Sequence, residues 1–93
     1  MIPIIIPAYE PDQRLIGLLK ELSEYPYGPV ILVNDGSGSA YEDIFKAAKN
    51  LLSEKAILLT HEVNRGKGRA LKTAFQYILE HLPKAIGAVT ADS

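Results

Sequence analysis

The sequence predicts a three-layer α/β domain built on a parallel β-sheet. Four short apolar runs alternate with three segments in which apolar residues recur at helical spacing. Runs that are apolar throughout are typical of strands buried on both faces, as in a parallel sheet covered by helices. The element order is therefore β-α-β-α-β-α-β, and the parallel strands are expected to be joined by right-handed crossovers.

Each predicted strand is an apolar run that ends in a polar or proline-containing segment. The predicted strands are residues 2–6, 30–34, 56–60 and 85–90. Pro7 and Pro11 have no backbone N–H groups, so a stiff, extended loop is expected after the first strand. The Asp-Gly-Ser sequence at residues 35–37 predicts a turn after the second strand.

The three predicted helices are bounded by caps and breakers. The first follows Asp12, whose carboxylate suits a helix N-cap, and ends before residue 25. The second begins near Ala40, and the third follows the polar loop 61–66 and is closed by Pro83. The apolar faces predicted for these helices are Leu15, Ile16, Leu18, Leu19 and Leu22; Ile44, Phe45, Ala47, Ala48, Leu51 and Leu52; and Ala70, Leu71, Ala74, Phe75, Ile78, Leu79 and Leu82.

Length, composition and charge restrict the class of protein. The chain has 93 residues, 47% of them hydrophobic and 23% charged, which describes one small globular domain or part of a larger one. A net charge of −1 with interspersed signs gives no electrostatic argument for a nucleic acid or an anionic membrane. The absence of cysteine excludes disulfides and thiolate metal sites. The first apolar run is too short for a signal peptide or a membrane span, so a cytoplasmic location is expected.

The expected strand order places several polar residues at one edge of the sheet. A nucleotide-binding half of this type has the Rossmann-like order 3-2-1-4, and its ligands bind beyond the carboxyl ends of the strands. The loops that reach this edge carry Tyr9, Glu10, Asp35 and Asp92. Tyr9 offers a flat face for a base, and Asp35 can accept a hydrogen bond from a base N–H or a ribose hydroxyl. The alternatives are a half-exposed loop tyrosine and an ordinary turn aspartate.

Two glycine-containing segments suit a bound phosphate or a closely approaching ligand. Gly36 and Ser37 have small side chains that leave the backbone accessible. Residues 64–69 open the third helix with backbone amides and three cations, although cations oppose the helix dipole at that end. A solvated basic first turn is the alternative. Neither the Walker A pattern nor the dinucleotide fingerprint is present.

Candidate metal ligands are few. Asp92, at the end of the fourth predicted strand, is a hard oxygen ligand that suits Mg²⁺ or Mn²⁺, and a simple strand-end acid is the alternative. His61 and His81 belong to no ligand pattern and are not assigned to a metal.

Four motifs resemble, in order and spacing, the inverting GT-A glycosyltransferases of family 2, such as dolichyl-phosphate-mannose synthases and bacterial cell-surface polysaccharide enzymes. The motifs are Ile-Pro-Ala-Tyr-Glu at 6–10, Val-Asn-Asp-Gly-Ser at 33–37, Asn-Arg-Gly-Lys-Gly-x-Ala-Leu at 64–71 and Thr-Ala-Asp-Ser at 90–93. The resemblance implies transfer of a sugar from a UDP- or GDP-sugar to an acceptor hydroxyl of a polysaccharide, lipid or similar molecule. The sequence departs from the family pattern modestly at Glu10, Pro11 and Asn34.

The resemblance also implies roles for individual residues. Tyr9 would lie against the base, Asp35 would bond to it, and Asp92 matches the first carboxylate of an Asp-x-Asp motif that holds Mn²⁺ or Mg²⁺ on the diphosphate. Since the second Asp and the catalytic base of the family are missing, residues 1–93 are expected to be an N-terminal donor-binding part, inactive alone. The residues expected to bind the nucleotide are Pro7, Ala8, Tyr9, Glu10, Asp35, Gly36, Ser37, Gly66 and Lys67.

Three expectations concern partners and three rival classes stay open. An exposed fourth strand predicts dimers through that edge or poor solubility. Nucleic acid is not an expected partner, and the full-length protein is compatible with the cytoplasmic face of a membrane. One rival is a sugar nucleotidyltransferase, which would need a Gly-rich, Arg-containing loop after the first strand. The others are a non-catalytic nucleotide-binding or interaction module and a flavodoxin-like or receiver-like domain.

Overall fold

The computed structural model describes residues 1–24 and 28–91 and confirms the predicted fold class. A four-stranded, all-parallel sheet has the strand order β3-β2-β1-β4. Its strands are β1 (Ile4–Ala8), β2 (Val30–Asp35), β3 (Ala56–His61) and β4 (Val89–Thr90). The α-helices are α1 (Gln13–Ser23), α2 (Glu42–Leu52) and α3 (Lys67–His81), with short 3₁₀ turns at Ser39–Tyr41 and Ser53–Lys55.

The sheet is covered by helices on both faces, which explains why its central strands are apolar throughout. Successive side chains of a strand point to opposite faces. Ile4, Ile6 and Leu32 pack in one cluster with α1 and α2, whereas Ile5 and Ile31 pack in the other with α3. The two clusters make the three layers that the sequence predicts, and they fix which face each strand-end residue occupies.

The prediction for the first strand is two residues out of place. Ile2 forms only an isolated antiparallel bridge with Gly28, and the ladder with β2 extends through Pro7 to Ala8. Proline is tolerated within β1 because of the direction in which its nitrogen faces. The Ile4 N–H bonds to Pro29 on the β2 side, so the backbone N–H and C=O groups of odd-numbered residues in β1 point toward β4. The described part of β4 pairs only as far as Ile5, and Pro7 therefore costs no ladder bond there.

The second and third strands are each one residue longer than predicted. The register pairs Asn34 with Thr60 and then Asp35 with His61. Two residues expected in loops thus form the last rung of the β2–β3 ladder. They lie on the α3 face of the sheet, because they share the parity of Val33 and Leu59, which pack in the α3 cluster.

The fourth strand is shorter than the predicted 85–90. Its first residues are used to return the chain from α3: the Ala85 N–H bonds to Leu82 and the Ile86 N–H bonds to Met1. Regular pairing with β1 begins only at Val89, opposite Ile4. The expected edge strand is present, but within the described residues it is two residues long.

The helix boundaries are close to those predicted, whereas the predicted buried faces of two helices are partly wrong. Asp12 is the N-cap of α1, and its side chain accepts a hydrogen bond from the Arg14 N–H at 2.9 Å. Helix α3 buries a narrow strip of Ala70, Ala74 and Ile78, whose small members bring the helix close to the sheet. Four side chains that were predicted to point inward are exposed: Ala47 and Leu51 on α2, and Phe75 and Leu79 on α3.

None of the three α-helices in the described ranges is long and apolar enough to cross a membrane.

Candidate functional site

A cavity of about 290 Å³ lies beyond the carboxyl ends of β1 and β2. Three separate segments form its wall: the end of β1 with the residue that follows, the end of β2, and the loop that leads into α3. The lining residues are Pro7, Ala8, Tyr9, Asp35, Asn64, Gly66 and Lys67. Six of these seven are among the residues expected to bind the nucleotide, and Asn64, which belongs to the motif at 64–71, is the addition.

Asp35 is a buried and extensively hydrogen-bonded residue of the cavity. It is only 3% exposed. Its Oδ1 atom accepts hydrogen bonds from the Arg65 backbone N–H at 2.9 Å and from His61 Nδ1 at 2.8 Å. The Asn64 side-chain amide donates to Oδ2 and to the main-chain oxygen of Asp35, both at 3.2 Å. Asp35 therefore orders the loop 61–66 in addition to lining the cavity.

These contacts keep the Asp35 carboxylate ionised. Burial alone would raise the pKa of this carboxyl, because a charged group loses hydration in the interior. Hydrogen bonds from His61 and from the backbone of Arg65 and Gly66, together with the attraction of the His61 ring, outweigh burial and hold the pKa below its ordinary value. At neutral pH, Asp35 is accordingly a hydrogen-bond acceptor.

His61 and Thr73 are site residues that the sequence interpretation missed. The Nε2 atom of His61 lies 2.7 Å from the Thr73 hydroxyl on α3, so the ring bridges the helix and Asp35. The sequence assigns His61 to a polar loop with no role, because its partners are 12 and 26 residues away. One signal was available in the sequence. β2 and β3 are apolar runs of similar length that end in polar pairs, residues 34–35 and 60–61, and aligning these pairs would have placed Asp35 beside His61.

Gly36 and Ser37 support the loops and do not line the cavity. Gly36 has φ +73°, and a Cβ atom there would lie 2.2 Å from the backbone nitrogen of Asn64. The small residue is required because another loop of the protein crosses it. The buried Ser37 hydroxyl accepts from the Glu10 N–H at 2.9 Å, and the Ser37 N–H donates to Asn34 Oδ1 at 3.0 Å.

The residues after β1 divide into one that borders the cavity and one that does not. Tyr9 lines it and is 51% exposed, so its ring is available to a ligand. Glu10 has an exposed side chain and a left-handed backbone, with φ +48°. Its N–H ties the loop to Ser37, which is a structural role.

The start of α3 provides the third wall of the cavity. Gly66 is the N-cap residue with φ +90°, and its carbonyl accepts the first helical bond, from Ala70 at 3.0 Å. Lys67 is the first helical residue, and the first turn contains no acidic side chain. An N-terminal helix end with a cation beside it favours an anion.

A metal centre is not built by the residues that the structure describes. Within residues 1–24 and 28–91, no group of three or more His, Asp or Glu side chains gathers in a way that could hold a metal ion. Asp92, the expected ligand of Mn²⁺ or Mg²⁺, lies outside the described residues.

Fold and cavity together define the class of protein. A doubly covered parallel sheet of order 3-2-1-4 with a polar cavity beyond its carboxyl edge is an α/β domain of the kind that binds small ligands at this edge. Residues 4–82 match the family described as glycosyl transferase family 2, and the chain belongs to this family.

A curated relative is similar over nearly the whole chain. Uncharacterized protein MJ1222 from Methanocaldococcus jannaschii is 32% identical over 89 residues. The alignment covers 96% of this chain and 34% of the relative, so the chain spans about a third of the length of that protein.

Proposed function

We propose that the cavity binds the nucleotide of a nucleotide sugar, and that the protein takes part in transferring the sugar to an acceptor hydroxyl. One observation carries this proposal: Tyr9, Asp35 and Lys67 line a single cavity although they come from three distant segments. An aromatic face, an ionised acceptor and a cation at a helix N-terminus are complementary to a base, a base N–H and a phosphate. Membership of the transferase family supports the same assignment.

The size of the cavity limits what it encloses. Small-molecule pockets measure roughly 300–1,000 Å³, and this cavity, at about 290 Å³, is at the small end. We assign it to the base and ribose, with the phosphates extending toward Gly66 and Lys67. UDP- and GDP-sugars are the donors proposed, because uracil and guanine each carry a ring N–H that can donate a hydrogen bond to an aspartate.

In the proposed transfer, the acceptor oxygen forms a bond to C1 of the sugar while the bond from C1 to the diphosphate oxygen breaks. A carboxylate base takes the hydroxyl proton, and the nucleotide diphosphate leaves. We assign the role of catalytic base to none of the described residues. The carboxylate in the cavity, Asp35, is already bonded to His61, Asn64 and Arg65. The contribution of these residues is to bind and orient the donor.

Several expectations remain predictions. Binding of Mn²⁺ or Mg²⁺ by Asp92, a cytoplasmic location and membrane association of the full-length protein are among them. We also propose self-association through β4, whose outer edge is unpaired within the described residues and whose Val89 side chain is exposed. Among the rival classes, a sugar nucleotidyltransferase is disfavoured, because the loop after β1 is Tyr-Glu-Pro-Asp and contains no glycine.

Titration of the protein with UDP, GDP, CMP and NAD, followed by backbone amide NMR shifts, tests the proposal. We expect UDP or GDP, but not NAD, to shift the signals of Tyr9, Asp35 and Lys67. Repeating the titration with Mn²⁺ tests the metal prediction separately. A folded sample whose amide signals respond to none of these nucleotides would overturn the proposed function, and binding without sugar transfer by the full-length protein would favour the non-catalytic module.

A further inference from the structure

A chain of side-chain hydrogen bonds links the middle of α3 to the cavity. The Thr73 hydroxyl lies 2.7 Å from His61 Nε2, and His61 Nδ1 lies 2.8 Å from Asp35 Oδ1. The His61 side chain is 10% exposed and that of Asp35 is 4% exposed. Thr73 itself does not line the cavity, so its link to a ligand would run through the other two residues.

The Asp35 carboxylate assigns the proton on Nδ1 of His61. An ionised carboxylate only accepts hydrogen bonds, so Nδ1 must carry a proton and donate to Asp35. In the neutral ring, Nε2 is then an acceptor, and the Thr73 O–H donates to it. Each ring nitrogen has one partner, and the two partners lie on different elements. The imidazole is therefore held against rotation from both sides.

The same bonds distribute the acceptor capacity of Asp35 unevenly. Oδ1 accepts two short hydrogen bonds, from His61 and from the Arg65 backbone, which use both of its lone pairs. Oδ2 accepts one longer bond, at 3.2 Å, from Asn64, and the Gly66 backbone N–H also donates to the carboxylate. Because Oδ1 holds both of the short bonds, Oδ2 is the oxygen better able to accept a hydrogen bond from a ligand, provided that the carboxylate does not turn.

We propose that His61, held in place by the Thr73 hydroxyl, is a positioning residue that fixes the Asp35 carboxylate with Oδ2 available to an N–H of the bound base. The inference rests on the proposed function, since it concerns the same cavity. It adds a residue on α3 that sets nucleotide affinity without touching the nucleotide.

The substitution Thr73→Val removes the hydroxyl and keeps the shape of the side chain. A lost hydrogen bond of this kind corresponds to a roughly 2- to 10-fold weaker affinity for UDP or GDP. Thr73→Ser retains the hydroxyl and should restore affinity to within about twofold of the original protein. Thr60→Val is the matched control, because it makes the same change at an exposed position next to His61, outside the cavity.

A spectroscopic signature separates positioning from a general loss of structure. In ¹⁵N spectra recorded at a pH where the imidazole is neutral, the original protein should show a protonated Nδ1 and an unprotonated, hydrogen-bonded Nε2. Thr73→Val should shift the Nε2 signal, and binding of UDP or GDP should shift the Nδ1 signal as Asp35 takes up a further donor. Unfolding temperatures establish that every affinity refers to folded protein.

His61→Asn provides a second route if Thr73→Val does not fold. Asparagine can still donate to Asp35 but cannot reach Thr73, so its effect on affinity should match that of Thr73→Val. Where Thr73→Val does fold, adding it to His61→Asn should weaken binding no further, because both changes break the same link.

The outcomes separate the two proposals. If the original protein binds UDP or GDP and Thr73→Val binds them equally well, the positioning role is wrong while the proposed function stands. If the original protein binds neither, the proposed function fails and the positioning role falls with it. Additive losses in the double variant would also overturn the positioning role.

Discussion

The Nδ1 atom of His61 lies 2.8 Å from Oδ1 of Asp35, on the last rung that β2 and β3 share. Because parallel pairing places these residues side by side on the α3 face, the strand register itself brings an imidazole to the carboxylate of the cavity. This bond lies at the edge of the sheet where a ligand would bind. Asp35 also holds the loop that leads to Gly66 and Lys67, through its hydrogen bonds with Asn64 and Arg65.

Acid should remove the stability that Asp35 provides. Its pKa is lowered on folding, so the ionised form stabilises the native state above the ordinary value of 3.8, and this stabilisation is lost as the pH falls through the lower pKa of the folded protein. Hydrogen bonds to a charged group contribute about 1.5–3 kcal/mol each. We therefore expect Asp35→Asn to lower the free energy of unfolding at pH 6 by at least about 1.5 kcal/mol, as measured by urea denaturation.

The difference between the original protein and Asp35→Asn should shrink as the pH falls below 3.8. Asp12→Asn is the control, because the hydrogen bonds of Arg14 also lower the pKa of Asp12, but this pair is exposed to solvent. Its effect should be much smaller at every pH. A difference for Asp35→Asn that stays constant with pH would contradict the assignment of an ionised, stabilising carboxylate.

Gly36→Ala should be strongly destabilising. The alanine would adopt φ +73°, at a cost of roughly 1–3 kcal/mol. Its Cβ would also lie 2.2 Å from the backbone of both Val63 and Asn64, and such overpacking adds roughly 1–3 kcal/mol. In a small domain of marginal stability, this sum is a large part of the total.

Gly38→Ala is the matched control for the glycine experiment. Gly38 also has a positive φ, of +83°, but nothing lies within 4 Å of a Cβ atom built there. It should therefore show the backbone strain without the clash. Urea denaturation of both variants measures the difference, and equal losses would mean that the loop containing Val63 and Asn64 moves aside at little cost.

The fold could be predicted from the sequence because its signals are local and repeated. Apolar runs, helical spacing and caps such as Asp12 each depend on a few neighbouring residues, and together they define the order of elements. The errors arose where a boundary depends on contacts between residues that are distant in the sequence. Pro7 reads as a strand end unless it is known that its nitrogen faces away from β2, and this requires the register of β1 against β2.

The candidate site divides in the same way. Motif residues such as Tyr9 and Gly66 could be found because each follows a recognisable strand or opens a helix. The bridge from Asp35 to Thr73 could not, since it needs both the β2–β3 register and the rotation of α3 about its axis. That rotation is also what leaves Phe75 and Leu79 exposed, although both fit a helical apolar pattern.

Tyr9 should contribute to nucleotide binding through its ring. Stacking of a base on an aromatic side chain is worth roughly 1–3 kcal/mol, so Tyr9→Ala should weaken UDP or GDP binding at least about 5-fold. Tyr9→Phe keeps the ring and should stay within about twofold. Phe75→Ala removes a similarly exposed ring away from the cavity and should leave affinity unchanged. Calorimetric titration gives the affinities, and an unaltered affinity for Tyr9→Ala would mean that the ring only covers the sheet edge.

The outer edge of β4 should mediate self-association, and a single substitution can block it. The Val89 N–H bonds to Pro3, just before β1, and the Ala91 N–H bonds to Ile5 of β1, so the alternation of the strand directs the Thr90 N–H away from β1, toward the unpaired edge. Thr90→Pro removes this outward donor without removing a bond to β1, whereas Thr90→Val keeps the donor and a β-branched side chain. In sedimentation experiments at increasing concentration, the original protein and Thr90→Val should associate, and Thr90→Pro should remain monomeric. A monomeric original protein would contradict the association, and association of Thr90→Pro would exclude this edge as the interface.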